Sequence, residues 1–126
     1  MHGTKAPSVL IADDDGSLRR ALKLALEASG YRVQLAVNGA QALQMQRNDP
    51  VDVLITDIFM PETDGFEAID GFRKAFPHTR IVVMSGDAKR AKGEYLSAAA
   101  LIGVDATLKK PFQVATLLQT LRSLGL

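Results

Sequence analysis

Ser8-Val9-Leu10-Ile11-Ala12, followed at once by Asp13-Asp14-Asp15, is the stretch that decides the fold. A short, nearly continuous apolar run that stops at a carboxylate is typical of a parallel strand covered on both faces. Three further runs each stop at a polar residue: Val51–Thr56 stops at Asp57, Ile81–Met84 stops at Ser85, and Ala106–Lys109 stops at Lys110. If these runs are parallel strands, the carboxylates, the hydroxyl and the ammonium meet at one edge of one sheet, where ligands bind in open α/β folds.

Segments of helical period separate the apolar runs. Leu18, Leu22 and Leu26 recur with alanines at spacings of three and four, which predicts an amphipathic helix capped by Asp15 or Ser17 and ended by Gly30. The remaining elements are predicted as a strand at Tyr31–Val37 and helices at Gly39–Arg47, Phe66–Phe76, Tyr95–Ile102 and Val114–Leu124. Five β/α pairs joined by short links predict a doubly wound α/β fold with right-handed crossovers.

The size and composition exclude several classes of protein. The 126 residues, 47% of them hydrophobic, suffice for one domain with a real core, predicted over residues 8–126 after a flexible N-terminal segment, residues 1–7. A net charge of +1 argues against nucleic-acid and membrane partners, and the longest apolar stretch, Ala98–Ile102, is far too short to cross a bilayer. The absence of cysteine excludes disulfides and thiolate chemistry. We expect a cytoplasmic protein.

The clustered carboxylates predict a site for a hard divalent cation. Asp13, Asp14 and Asp57 would repel one another unless a cation lies between them, and Mg²⁺ prefers such oxygen ligands together with water and phosphate. With a metal at that point, Asp57 can act as a nucleophile toward phosphorus, as aspartate does in aspartyl-phosphate chemistry. Lys110 and Ser85 would then meet the charged oxygens of the phosphoryl group. Each residue alone has an ordinary turn or capping role; the ordered set indicates phosphoryl chemistry.

From about Ser8 to Leu124 these motifs resemble the receiver domain of two-component response regulators. The resemblance is carried by four motifs, Asp13-Asp14, Asp57-Ile58-Phe59-Met60-Pro61 with Asp64-Gly65, Ser85-Gly86, and Lys110-Pro111-Phe112. It implies a flavodoxin-like (βα)5 fold, with a five-stranded parallel sheet of strand order 2-1-3-4-5. It also implies a phosphoacceptor signalling domain rather than an enzyme, although the domain assists its own phosphorylation and dephosphorylation.

The resemblance assigns a role to each matching residue. Asp57 would accept a phosphoryl group from a sensor histidine kinase or a histidine phosphotransfer protein, in a phosphorelay. Asp14, Asp57 and the backbone carbonyl of Phe59 would bind Mg²⁺, which Mn²⁺ could replace, and Asp13 would hold the metal through water. Lys110 would pair with the phosphoryl group across a cis bond to Pro111, and the Ser85 hydroxyl would move toward it.

One position departs from the family pattern. The aromatic residue that usually swings inward on phosphorylation should lie three residues before Lys110, where this chain has Thr107. Three explanations remain open. The conformational switch runs through Ser85 and loop movement alone, the surface that contacts the downstream partner differs from that of other family members, or the protein relays phosphate without a change of shape. Tyr95 is a weaker candidate for the missing ring.

Phe59 and Asp87, two residues beyond Asp57 and Ser85, flank the expected path of the hydrolytic water. We hypothesise that Phe59 shields the acyl phosphate, whereas Asp87 orients water; packing of Phe59 over the pocket rim is the plain alternative. Basic residues at Lys89, Arg90 and Lys92 are typical of a solvated loop. Those at Arg19, Arg20 and Lys23 lie on the first helix, near where receivers meet their kinases.

The main prediction is therefore a stand-alone receiver with no output domain in this chain, acting through an unknown downstream protein. A domain excised from a larger regulator or a hybrid kinase is an alternative origin of the same sequence. An unphosphorylated pseudo-receiver that binds partners is the first alternative. An aspartate-nucleophile phosphohydrolase is disfavoured because such an enzyme needs a second aspartate at the position of Phe59. A flavodoxin-type redox carrier is disfavoured because the three aspartates would repel a flavin phosphate. Apolar residues of the last two helices fit either a core or a homodimer interface, so the oligomeric state stays open.

Overall fold

Five parallel strands form one sheet in the computed structural model, which describes residues 6–58, 65–85 and 103–126. The strands are β1 (Ser8–Ala12), β2 (Arg32–Ala36), β3 (Val53–Asp57), β4 (Arg80–Ser85) and β5 (Ala106–Lys109). Their order is β2-β1-β3-β4-β5, so the predicted order 2-1-3-4-5 is confirmed. All four neighbouring pairs are parallel, as the continuous apolar runs indicated.

Two strands extend one residue further than the apolar runs suggested. Asp57 pairs with Met84, and Ser85 pairs with Lys109, so Asp57 and Ser85 are the last residues of β3 and β4 rather than the first residues beyond them. The parallel ladder continues to these polar residues because each has a partner on the neighbouring strand. Both side chains are therefore held by sheet geometry rather than by a loop.

Four helices are described: α1 (Gly16–Ala28), α2 (Gly39–Asn48), α3 (Gly65–Ala75) and α4 (Val114–Ser123). Asp15, not Ser17, caps α1, because its carboxylate accepts hydrogen bonds from the backbone N–H groups of Ser17 and Leu18 at 3.0 and 3.2 Å. The predicted helix Tyr95–Ile102 lies outside the described residues. None of the helices in the described ranges has the length and apolar character required to cross a bilayer.

The core lies on both faces of the sheet. Leu10 and Ala12 of β1 pack in a cluster with Phe72 of α3, on the face covered by α2 and α3. Val9 and Ile11 pack in a second cluster on the opposite face, with buried leucines of α1 and α4: Leu22, Leu26, Leu117 and Leu121. Because successive strand residues point to opposite faces and both faces are covered, the carboxyl ends of the central strands are held rigidly.

Candidate functional site

Three aspartates meet at the carboxyl ends of β1 and β3. The two strands are neighbours in the sheet, so Asp13 and Asp14, which follow β1, lie beside Asp57, the last residue of β3. One carboxylate oxygen of each lies within 4.8 Å of the others. Asp13 and Asp57 are buried and Asp14 is exposed, so the cluster opens to solvent on the side of Asp14.

The Lys110 ammonium bridges the two buried carboxylates. Its Nζ lies 2.8 Å from Asp13 Oδ2 and 3.2 Å from Asp57 Oδ2. The backbone N–H of Lys110 donates to the Ser85 carbonyl at 2.7 Å, and the Lys110–Pro111 peptide bond is cis, as the family resemblance implied. Burial lowers the pKa of Lys110, but the hydrogen bond to Asp13 and the charges of Asp57 and Asp13 outweigh it, so the pKa is raised above the ordinary 10.5. Lys110 is therefore a fixed positive charge in this site.

Asp13 is held from three sides. Its Oδ1 accepts a hydrogen bond from the Asp15 N–H at 2.8 Å, while its own N–H donates to the Ala36 carbonyl at 3.2 Å. Its carbonyl accepts from Arg19 Nη1 at 2.6 Å, so Arg19 reaches back from α1 to the loop that carries the aspartates. Sequence reasoning assigned Arg19 only to a partner-binding face and missed this contact. The one available signal was an arginine in the first turn of a helix that follows clustered carboxylates.

Ser85 presents a buried hydroxyl at the carboxyl end of β4. The residue is 1% exposed, and its Oγ has no hydrogen-bond partner within the described part of the chain. A buried polar group left without a partner costs about 1–3 kcal/mol. Because β4 is the neighbour of β3, this hydroxyl lies on the strand beside Asp57, on the opposite side from β1. An oxyanion bound at Asp57 is the natural acceptor for it.

The donor set fits Mg²⁺. Three carboxylates and one ammonium leave two excess negative charges, which one divalent cation neutralises. All the donor atoms are hard oxygens, and one of the three aspartates is exposed, which leaves room for the water ligands that Mg²⁺ retains. Mn²⁺ accepts the same oxygen ligands.

Several predicted functional residues cannot be compared with the structure or do not join the site. Phe59, Asp87, Tyr95 and the basic group Lys89, Arg90 and Lys92 lie outside the described residues. Thr107 lies on β5 and is exposed. The structure therefore brings together Asp13, Asp14, Asp57 and Lys110, with Ser85 on the adjoining strand.

The family model of the response regulator receiver domain matches residues 9–122. Among curated proteins, the chain is similar to the response regulator MprA of Mycobacterium ulcerans (strain Agy99), with 35% identity over 117 residues. That match covers 92% of this chain and 49% of the relative. The MprA of Mycobacterium leprae (strain TN) is also 35% identical, with 50% of its length covered. The chain thus spans about half the length of the curated relatives it matches.

Solved structures of receiver proteins resemble this chain over nearly its whole length. The chemotaxis protein CheY4 of Vibrio cholerae superimposes with a TM-score of 0.86 at 31% identity, covering 94% of this chain and 98% of that one. A CheY-like receiver domain protein of Methanospirillum hungatei JF-1 superimposes with a TM-score of 0.87 at 26% identity, covering 94% and 92%. Unlike the longer curated relatives, these two structures are matched over more than nine-tenths of their own length.

Proposed function

Because this chain belongs to the response regulator receiver domain family, we propose that Asp57 accepts a phosphoryl group from a phosphohistidine. The donor would be a sensor histidine kinase or a histidine phosphotransfer protein, and the transfer would require Mg²⁺ or Mn²⁺. The observation that carries this proposal is the convergence of Asp13, Asp14 and Asp57 within 4.8 Å, with Lys110 bonded to two of them.

The proposed transfer is a direct displacement at phosphorus. A carboxylate oxygen of Asp57 forms the new P–O bond while the P–N bond to the donor histidine breaks, and the bond's electron pair leaves with the imidazole. Asp57 is suited to this role because the β3–β4 ladder fixes its position at the sheet edge. Mg²⁺, held by Asp14, Asp57 and the Phe59 carbonyl with Asp13 acting through water, would neutralise charge on the transferring oxygens.

Lys110 and Ser85 would stabilise the product. The Lys110 ammonium already contacts Asp57 Oδ2 at 3.2 Å, so a short movement would let it donate to a phosphoryl oxygen. The Ser85 hydroxyl, which is buried and without a partner in the described residues, would gain the acceptor it lacks. Pairing of this hydroxyl is the change by which phosphorylation would alter the molecule in the absence of an aromatic ring at Thr107. We expect this signalling to occur in the cytoplasm, toward a downstream protein.

The test is incubation with acetyl phosphate and Mg²⁺ followed by intact mass spectrometry. We expect a gain of one phosphoryl group that is lost in Asp57→Asn and when Mg²⁺ is chelated. Asp70→Asn is the matched control, because Asp70 is an exposed aspartate of α3 that pairs only with Lys74 among the described residues. A gain that survives in Asp57→Asn would refute the assigned acceptor. No gain, even with a phosphorylated kinase, would indicate an unphosphorylated binding module.

A further inference from the structure

A polar cavity lies at the amino ends of the strands, on the opposite side of the sheet from the carboxyl end that carries Asp57. It has a volume of about 260 Å³ and is lined by Arg73, Pro77, His78, Thr79, Arg80 and Asp105. Arg80 begins β4, and Asp105 immediately precedes β5, so the cavity is at the amino ends of these strands. Arg73 reaches it from the last turns of α3. None of these residues belongs to the acidic site.

Asp105 organises the two arginines. Its Oδ2 accepts hydrogen bonds from Arg73 Nη2 at 3.0 Å and from the Ile81 N–H at 2.8 Å, while its Oδ1 lies 3.5 Å from Arg80 Nη1. The Asp105 side chain is only 20% exposed, so it is fixed by these contacts. One carboxylate thus pairs with two guanidinium groups that line the cavity.

Asp105 cannot neutralise the charge of both arginines or pair with all their N–H donors. Two guanidinium groups against one carboxylate leave an excess positive charge. Every side-chain hydrogen bond of Arg73 to a described residue is donated by Nη2, to Asp105 and to the Gly103 carbonyl. Its Nε is buried and has no partner within the described residues. The Arg80 side chain is half exposed, and among those residues its guanidinium group pairs with Asp105 alone, through Nη1.

We propose that this cavity binds a small phosphate-bearing anion, held between the Arg73 and Arg80 guanidinium groups. Planar guanidinium groups with unused N–H donors bind tetrahedral oxyanions through paired, charge-assisted hydrogen bonds. The cavity is larger than one phosphate group and therefore has room for a small substituent, as in a phosphomonoester. The proposal is independent of phosphorylation at Asp57, because the two sites lie at opposite edges of the sheet.

The experiment is a titration of the full chain with inorganic phosphate in the presence of a chelator, at constant ionic strength, followed by ¹H–¹⁵N NMR. We expect saturable shifts of the Arg80 side-chain N–H and of the amides of Thr79 to Ile81. Arg80→Gln should weaken binding about tenfold, the loss expected for one charge-assisted hydrogen-bonding group. Arg122→Gln, which removes the same charge from an exposed position of α4, should leave affinity unchanged.

Asp105→Asn separates a binding role from a purely structural one. Asparagine keeps a carbonyl acceptor for the Ile81 N–H but removes the competing negative charge, so phosphate should bind roughly fivefold more tightly. Unchanged or weaker binding in this folded variant would mean that phosphate does not bind at the guanidinium groups that Asp105 neutralises, and would overturn the proposal. Equal binding by wild type and Arg80→Gln would overturn the proposal. Stronger shifts with acetate than with phosphate would overturn the assigned ligand class.

Discussion

Replacing Asp14 by asparagine should make the metal-free protein more stable and, at the same time, remove its response to Mg²⁺. Asp14 is exposed and makes no hydrogen bond or ion pair with any other described residue, so the substitution sacrifices no contact there. Its carboxylate has an oxygen within 4.8 Å of both Asp13 and Asp57. The main effect of the change is therefore loss of like-charge repulsion.

The magnitude follows from Coulomb's law. Two unit charges separated by 4.8 Å repel by about 1 kcal/mol in a water-like dielectric, and the exposure of Asp14 favours that lower limit over the interior value. Attraction to the nearby Lys110 charge offsets part of the two repulsive pairs. We therefore expect Asp14→Asn to raise the free energy of unfolding by about 1 kcal/mol in the presence of chelator.

Mg²⁺ should make wild type more stable than Asp14→Asn. A cation that binds only the folded state stabilises it by RT ln(1 + [L]/Kd), which is about 1.4 kcal/mol at a tenfold excess over the dissociation constant. Wild type should gain this stabilisation, whereas Asp14→Asn, with one ligand removed, should gain little. The variant is thus expected to be the more stable protein in chelator and the less stable one in saturating Mg²⁺.

The assay is urea unfolding followed by far-UV circular dichroism, in chelator and in a series of Mg²⁺ concentrations. Asp70→Asn is the control, since Asp70 pairs with Lys74 on the solvent-facing side of α3 and the variant should show the wild-type response to Mg²⁺. If Asp14→Asn is less stable than wild type in chelator, repulsion among the three carboxylates does not determine the stability of the metal-free protein. If it keeps the full Mg²⁺ response, Asp14 is not a ligand.

Three further predictions concern Lys110 and the first helix. Lys110→Met should lower the free energy of unfolding by about 3 kcal/mol in chelator, because it removes the positive charge that bridges the two buried carboxylates of Asp13 and Asp57. Adding Asp13→Asn should restore part of this loss, and additive effects of the two substitutions in urea unfolding would contradict the pairing. Because the folded-state pKa of Lys110 is raised above 10.5, its stabilisation is fully present below that pH and is lost as the pH rises through the raised pKa. The stability difference between wild type and Lys110→Met should then stay flat from neutral pH upward and shrink only above 10.5; an earlier decline would argue against the shift. Asp15→Ala should lower the free energy of unfolding by about 1 kcal/mol, because it removes the cap of α1. Thermal unfolding measures this loss, and Ser17→Ala is the control, which should be nearly neutral. Equal losses of stability in both variants would contradict the capping assignment.

Much of the fold follows from local sequence. Apolar runs of strand length, separated by segments of helical period, indicate which residues form β1, β3 and β4, because burial on two faces requires continuous apolar sequence. The Asp15 cap could also be predicted, since a cap depends only on residues two and three positions away. The composition of the acidic site was likewise predictable, because parallel strands bring their carboxyl ends to one edge.

Contacts between distant residues were decided by tertiary structure alone. The position of the Lys110 ammonium between Asp13 and Asp57 depends on the packing of β5 against the rest of the sheet, and the Arg19 bond to the Asp13 carbonyl depends on the angle at which α1 leaves β1. The ends of β3 and β4 at Asp57 and Ser85 were set by partners on neighbouring strands, not by hydropathy. The cavity of Arg73, Arg80 and Asp105 had no sequence signal, because these residues come from α3, β4 and the segment before β5, and each looks like an ordinary solvated surface residue in its own segment. Periodicity reports which face of an element is buried, whereas the meeting of two polar side chains depends on how separate elements pack in three dimensions.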